Sequence, residues 1–531
     1  MSASSPKLNR IEKIKLELHP FDEEFKKRME KYFQEGDYTK IPPDDIERLK
    51  YYGIFYRKAT PGYFMIRIRV PGGVLNYRQA LKLAELAKKY AKNLIEITSR
   101  QQIQIRWVEL KNIKTILEEL NKVGLTTLQT GLDNVRNVVH DPLSGLAVET
   151  VIDTTPLVFE MTNAILGKKE FANLPRKLNP AILGSTRDPI NALYNDVAFY
   201  LAQKDGQYGF NLYVGGKIGS GGPEKGFDID MFVQPQEVVE VFKTIIGIYT
   251  DFGYRDNRNK NRIYFLVKDW GIEKFREEIE KRLNKKFPTK GKVLIKEYGD
   301  RTGIIPQKGD EELYSVPLGV PSGKISAEDF EKIAKLARKY GSGDLRLTIY
   351  QNIYLVNIKG KWIRQLLMEP VYEKFEKNNN NWIINTVACA GSDTCAFGVI
   401  ENKSDAIRVG NYLREKVYVD VPIRLHWSAC IKGCGQHGAA DVGFVGTKMK
   451  VAGRAVEAVE VYVGGSHAVP AKKIGVVPLK GLEYRLEKLF RYYMNHRQRG
   501  ETFFHFVHRV GTKKIKKFFQ VEEPKPTKVV K

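Results

Sequence analysis

Apolar residues Leu81, Ala84, Leu86, Ala87 and Tyr90 recur at helical spacing between short apolar runs, behind a Pro71-Gly-Gly turn. The pattern predicts strand, turn, amphipathic helix and strand, which is one βαβ unit. It returns 250 residues later. Residues 71–103 align without a gap on 321–353 with 11 of 33 positions identical, among them Leu86-Ala87, Lys89-Tyr90 and Gln101. Beyond each copy, Asn195-Asp-Val-Ala-Phe echoes Ala440-Asp-Val-Gly-Phe, and Leu212-Tyr-Val-Gly-Gly echoes Val461-Tyr-Val-Gly-Gly, at offsets of 245 and 249. Collinear echoes of this kind point to a duplication. They predict a pseudo-two-fold α/β molecule, each half a small βαβ module followed by a larger α/β module, with room for a cofactor between the halves.

Breaks in the pattern divide the chain into a polar N-terminal arm (1–50), a first small module (51–130), a larger α/β domain (131–300), a second small module (301–380) and a second α/β domain (381–531). The basic Pro/Gly stretch Lys285-Lys-Phe-Pro-Thr-Lys-Gly and the Asn run at 378–381 mark two of the boundaries. The arm and the Lys/Pro tail from Glu522 read as poorly ordered or laid across the surface.

At 531 residues and 42% apolar content, about three domains can each bury a core. Met1 to Leu18 contains no apolar leader, and no run of ~18 apolar residues occurs, so a soluble, cytoplasmic protein is expected. Lys and Arg exceed Asp and Glu by 87 to 62, a net charge of +25. Such a surplus attracts acidic partners. No zinc-finger or RNP1-like pattern is present and the basic residues are spread along helices such as 80–92, so neither nucleic acid nor membrane is the expected partner. Part of the surplus is ordinary Lys-rich surface.

All four cysteines fall within 46 residues, as Cys389-x5-Cys395 and, 34 residues on, Cys430-x3-Cys434. In a cytosolic chain this clustering indicates a metal site rather than disulfides. Zinc remains open, although its knuckles draw on tighter pairs than the first of these. Small residues crowd both pairs (Ala388, Ala390, Gly391, Ser392; Ser428, Ala429, Gly433, Gly435), which lets a bulky [4Fe-4S] cluster approach backbone N–H donors.

The string Ala388-Cys-Ala-Gly-Ser-Asp-Thr-Cys-Ala-Phe-Gly-Val-Ile-Glu-Asn-Lys403, with Ser428-Ala-Cys-Ile-Lys-Gly-Cys-Gly-Gln-His437 and Ala440-Asp-Val-Gly443, resembles the cluster motif of the sirohaem-dependent nitrite and sulfite reductases. The resemblance extends over residues ~50 to 510, a boundary estimate, and includes Asp269-Trp-Gly-Ile-Glu-Lys-Phe275. One departure is Ile431-Lys432, where the family usually carries Pro-Asn. Lys432 there either pairs with a cofactor carboxylate or the cluster's charge, or is solvated.

The resemblance implies a three-domain fold with ferredoxin-like half-domains and two larger α/β domains. It also implies a six-electron reduction of a small oxyanion at sirohaem iron, with Cys389, Cys395, Cys430 and Cys434 holding a [4Fe-4S] cluster and Cys434 shared with that iron. By motif position Arg67, Arg136, Lys177 and Asn179 are the oxyanion-binding residues. Arginine offers a permanently charged fork and lysine a proton. Sirohaem's carboxylates need cations and amides around them. The candidates are Arg100, Gln104, Asn134, Arg258, Lys260 and Arg262. The loop Gly215-Gly-Lys-Ile-Gly219 either approaches the macrocycle or is a plain turn.

The Gly-x-Gly-x-x-Gly spacing of a nicotinamide or flavin fingerprint occurs only at Gly433–Gly438, inside the cysteine motif, and is not read as one. The implied electron donor is therefore an acidic, low-potential ferredoxin, docking on a basic face of a monomer. Lys177-Leu-Asn179 and Asp133-Asn-Val-Arg-Asn resemble the nitrite branch, since family members acting on sulfite carry Lys-x-Lys at the first of these. No cysteine is spare for the Tyr–Cys crosslink of some sulfite-reducing members. Nitrite to ammonia is the expected reaction and sulfite to sulfide the alternative. A zinc-stabilised, basic nucleic-acid-binding protein is a distant third.

Overall fold

The structure is a computed structural model that describes residues 8–219, 222–309, 311–376 and 379–520. The two short repeats build one domain between them. In the first, strands Ile54–Tyr56, Tyr63–Ile68, Ile103–Glu109 and Leu94–Ile97 lie side by side; in the second, Ile305–Pro306, Leu313–Leu318, Ile353–Lys359 and Leu345–Leu347 do the same. Each sheet is completed by the other repeat. Lys324–Ser326 pairs antiparallel with Leu94–Ile97, and Val74–Leu75 pairs antiparallel with Leu345–Leu347.

Helices Tyr77–Tyr90 and Ala327–Tyr340 start on side-chain caps at corresponding positions, Asn76 accepting from the Gln79 N–H and Ser326 from the Asp329 N–H. Each such cap is worth ~1 kcal/mol. The helices pack on one another, with a Lys88–Glu331 ion pair across the seam. A single hydrophobic core therefore runs through both half-domains.

The N-terminal segment differs from the expected surface arm. It forms helices Arg10–Glu17, Glu23–Glu35 and Pro43–Leu49, and Phe25, Met29 and Phe33 enter that same core. Their i, i+4, i+8 spacing puts all three on one helical face. Lys15 and Glu12 form a buried pair at 2.6 Å, and Lys15 Nζ also donates to the Leu174 carbonyl at 2.8 Å, which ties the segment to the second domain. The tail from Glu522 lies outside the described residues, as does position 378 of the Asn run.

The two larger domains share a strand plan. In the first, Val139–His140, Pro180–Leu183 and Val197–Lys204 run parallel and are continued by antiparallel Gln207–Val214 and Phe227–Val233. In the second, Thr386–Ala388, Leu425–Ser428 and Val442–Val451 run parallel, followed by antiparallel Arg454–Val463 and Lys472–Pro478. Each sheet has its own core, spanning residues 135–287 and 382–519. Val139–His140 and Thr386–Ala388 each lie at one edge of their sheet. No described helix is long and apolar enough to cross a membrane.

Candidate functional site

A cavity of about 380 Å³ opens where the first half-domain meets both larger domains. The half-domain contributes Arg57, Arg67, Arg100, Gln104 and Arg106 to its wall. The second domain contributes Arg136, Lys177 and Asn179, and the third all four cysteines, with Lys403, Lys432 and Gln436.

Local geometry explains how each group arrives. Arg67 and Gln104 are partners on neighbouring antiparallel strands, so both leave the sheet on one face. Asn179 precedes the strand Pro180–Leu183, and its N–H donates to Asp196 Oδ2 at 2.7 Å. The strand Thr386–Ala388 ends at Cys389. Asn402 Nδ2 bonds the Cys389 carbonyl at 2.7 Å, and the Ala429 N–H donates to Cys389 Sγ at 3.2 Å. The loop at Cys434 is folded tightly: a Cβ at Gly435 would lie 1.9 Å from the Trp427 carbonyl oxygen, so only glycine fits. Ser99 Oγ donates to the Cys434 carbonyl at 3.0 Å.

Electrostatics give this wall its character. Arg67 donates to the Thr130 carbonyl at 3.0 Å, Arg136 to the Thr130 and Leu132 carbonyls, and Arg100 to Asn195 Oδ1 at 2.7 Å. Among the described residues, no carboxylate forms a salt bridge with Arg57, Arg67, Arg100, Arg136 or Lys177. Burial first, then the neighbouring Arg57, brings Arg67 down to about 9; burial lowers Arg100 to about 10. Burial, reinforced by Arg67 and Arg176, holds Arg136 well below its ordinary value. Burial, with Arg262 next, lowers Lys177 to about 7. Cations crowded and unpaired in this way call for an anion, since unpaired buried charge is costly. A polycarboxylate tetrapyrrole and a small oxyanion both meet that requirement.

All four thiols line one cavity, and burial and the other three thiols raise Cys389 above its usual range. Four thiols around one space suit a polynuclear cluster with one iron at each ligand.

Four sequence candidates sit elsewhere. Arg258 grips Asp133 with two bonds of 2.8 Å, and Arg262 grips Asp196 at 2.8 and 2.7 Å. Asn134 is fully buried and donates to the Gly131 carbonyl at 2.9 Å, while Lys260 is exposed on a loop. None of the four lines the cavity. A buried carboxylate nearby captures a guanidinium before any cofactor can. Arg262 still bears on the site indirectly, because Asp196 holds the Asn179 backbone.

The loop from Gly215 passes against the cysteine loop. Gly216 is needed because a Cβ there would meet the Leu193 and Asn195 carbonyls at 2.4 and 2.3 Å, and Ile218 reaches the cavity. Lys432 places its ammonium over the Phe397 ring, 3.0 Å from the centroid. Wall residues not picked out from the sequence are Arg57, Arg106 with its buried partner Glu96, and Lys403, whose Nζ bonds the Ser322 carbonyl. Arg106 was accessible from strand alternation with Gln104. Arg57 carries no local signal.

Comparison with known proteins extends the picture. The nitrite and sulphite reductase 4Fe-4S domain matches residues 131–287 and 380–528, and the nitrite/sulfite reductase ferredoxin-like half domain matches 56–123 and 305–369. The chain is 37% identical over 471 residues to the ferredoxin–nitrite reductase of Synechococcus elongatus, covering 87% of this chain and 91% of that one. It is 38% identical over 476 residues to the chloroplastic ferredoxin–nitrite reductase of Arabidopsis thaliana, covering 86% and 81%. The solved structure of the Mycobacterium tuberculosis NirA protein superposes with a TM-score of 0.89 at 28% identity, covering 96% and 98% of the two chains.

Proposed function

The chain belongs to the nitrite and sulphite reductase family, and we propose that it is an assimilatory ferredoxin-dependent nitrite reductase. It reduces nitrite to ammonia with six electrons. The observation that carries this reading is the set of cations without salt-bridge partners that lines one cavity together with four thiols.

Cys389, Cys395, Cys430 and Cys434 hold the [4Fe-4S] cluster. Arg57, Arg100 and Gln104 would face the sirohaem carboxylates. When bound, these groups would pass on the electrons of the ferredoxin donor and present the iron at which the oxyanion is held. The remaining chemistry belongs to the side chains. Arg67 and Arg136 are held by backbone carbonyls in fixed orientation, so their forks meet an incoming anion without reorganising. Lys177 attracts the anion while protonated and can release a proton near neutrality, as ammonia formation requires at every reduction stage. Asn179 offers an amide where a second ammonium would favour a dianion.

That last difference gives the substrate test. Steady-state turnover of nitrite and sulfite, side by side with a reduced viologen, is expected to favour nitrite. Asn179→Lys is expected to move the kcat/KM ratio toward sulfite by roughly tenfold, ~1.4 kcal/mol of added attraction for the dianion. An unchanged ratio removes Asn179 from the specificity argument, and faster sulfite turnover in the unaltered protein overturns the nitrite reading.

The four cysteines are unpaired with one another, which fits a reducing cytoplasm. Cys434 is exposed, and Ile431 and Phe397, 63% and 55% exposed, flank the cluster loops beside Lys432. Apolar side chains and a cation beside the ligands suit an acidic ferredoxin, steered by the +25 charge. Ferredoxin-driven turnover is expected to fall about tenfold between ~0.02 and ~0.5 M salt as the attraction is screened. Viologen-driven turnover is expected to stay level. A flat ferredoxin profile would rule out electrostatic steering.

A further inference from the structure

The repeat at offset 250 preserves a glutamine in an uncommon backbone state. Gln101 has φ +53° and Gln351 φ +67°, and both side chains are buried. Each meets the open edge of a large domain. Gln101 Oε1 accepts the His140 N–H at 3.2 Å, and its Nε2 donates to the His140 carbonyl at 3.0 Å. Gln351 Oε1 accepts the Ala388 N–H at 2.9 Å, and its Nε2 donates to the Ala388 carbonyl at 3.1 Å. The side-chain amide thus takes the place of a missing neighbouring strand for one residue of an edge strand, whose N–H and C=O groups would otherwise be buried without partners.

The correspondence continues outward. Gln101 Nε2 also donates to the Leu347 carbonyl and Gln351 Nε2 to the Ile97 carbonyl, both at 3.0 Å, so each glutamine joins both half-domains to a large domain. Gly73 and Gly323 leave the necessary space. A Cβ at either would stand 2.9 Å from the facing glutamine's Cβ and 2.5 Å from the Leu347 or Ile97 carbonyl oxygen.

The two clamps differ in the residue next along the chain. After His140 comes Asp141, buried and held by Arg301 through two bonds of 2.8 Å. After Ala388 comes Cys389. Gln351 lines the cavity; Gln101 does not.

We propose that Gln351 is a positioning residue for the metal centre, fixing the height and direction of the Cys389 thiol by clamping Ala388, whereas its duplicate Gln101 performs the same clamp with no ligand to serve. The inference rests on the reading of Cys389 as a cluster ligand. It makes Gln101 an internal control, because loss of either amide exposes a comparable pair of backbone groups and loosens a comparable domain contact.

Gln351→Leu and Gln101→Leu holoenzymes are compared, under anaerobic conditions, in thermal midpoint, in the rate at which a chelator removes cluster iron, and in the electron paramagnetic resonance spectrum of the reduced cluster. Both variants are expected to lose thermal stability to a similar extent. Only Gln351→Leu is expected to release iron faster, by about tenfold, as replacement of groups supporting metal ligands commonly does, and to shift the spectrum. Gln101→Leu is expected to stay within about twofold of the unaltered protein. Equal release rates in the two variants, or an unshifted spectrum in Gln351→Leu, overturn the proposal. Should either leucine variant fail to accumulate, Gln351→Met and Gln101→Met keep the side-chain length and are read by the same ratio. An unaltered protein without iron and labile sulfide would refute the cluster reading itself, a result distinct from equal rates on a loaded cluster.

Discussion

Replacement of Cys434 by alanine is expected to reduce nitrite turnover to background, a loss of about 10⁶-fold or more, because the bound groups carry the redox chemistry and the chain alone has no electron store. The loss is expected to be visible before any assay, as a fall in cluster iron and in the absorbance of the purified protein. The fold should survive. Cys434 is exposed at the end of a loop, and that loop is pinned by contacts not made through its thiol: Ser99 Oγ to the Cys434 carbonyl, the Gly435 N–H to Ser428 Oγ at 3.2 Å, and Gln436 Nε2 to the Ser99 carbonyl at 3.2 Å. Cooperative thermal unfolding, lowered only as far as loss of the bound groups lowers it, together with absent turnover is the expected combination. Retention of colour and turnover in Cys434→Ala would remove the shared-ligand assignment.

Lys177 gives the second large effect, and its sign can be worked out from its surroundings. Burial and the nearby Arg262 bring its ammonium down to about 7, and an anionic group beside it moves that value back upward. Above its apparent pKa, Lys177 loses both the charge that attracts nitrite and the proton it would deliver. Hence kcat/KM for nitrite is expected to fall tenfold per pH unit on an alkaline limb between pH ~7 and ~10. In Lys177→Arg the charge persists at all these pH values, so the limb is expected to disappear. KM changes less than about tenfold while kcat drops about 10²-fold or more, the usual contribution of a positioned acid. Lys177→Met, lacking charge as well, is expected to lose about 10³- to 10⁴-fold in kcat/KM. An alkaline limb that persists unchanged in Lys177→Arg assigns the titration to a different group.

Particular residues show how far the sequence could be read. The four cysteines, Arg67, Arg100, Gln104, Arg136, Lys177 and Asn179 were reachable from short motifs, and all line one cavity. Arg258 and Arg262 do not line it, and their pairing was hidden because a basic run states which charges are present and not which carboxylates lie opposite. Asp133 and Asp196 are distant in sequence and adjacent in space, and they take both guanidinium groups. The exchange of Lys324–Ser326 and Val74–Leu75 between sheets was equally hidden, since strands of two or three residues carry no usable periodicity. In the N-terminal segment, three apolar residues among many charges read as an arm poorly ordered or laid across the surface, and only the core they join makes Phe25, Met29 and Phe33 a buried face.

The chain by itself determined the duplication, the α/β character of each part, the number and spacing of thiolates, and the excess of cations, because these depend on residue identity and short-range order. Tertiary structure alone decided which cations remain without a carboxylate, that these and the four thiols line one cavity, and that one of two equivalent glutamines clamps the strand leading to Cys389. Those outcomes depend on distances across three domains. In a low-dielectric interior, a few ångströms separate a charge that is already neutralised from one still free to bind.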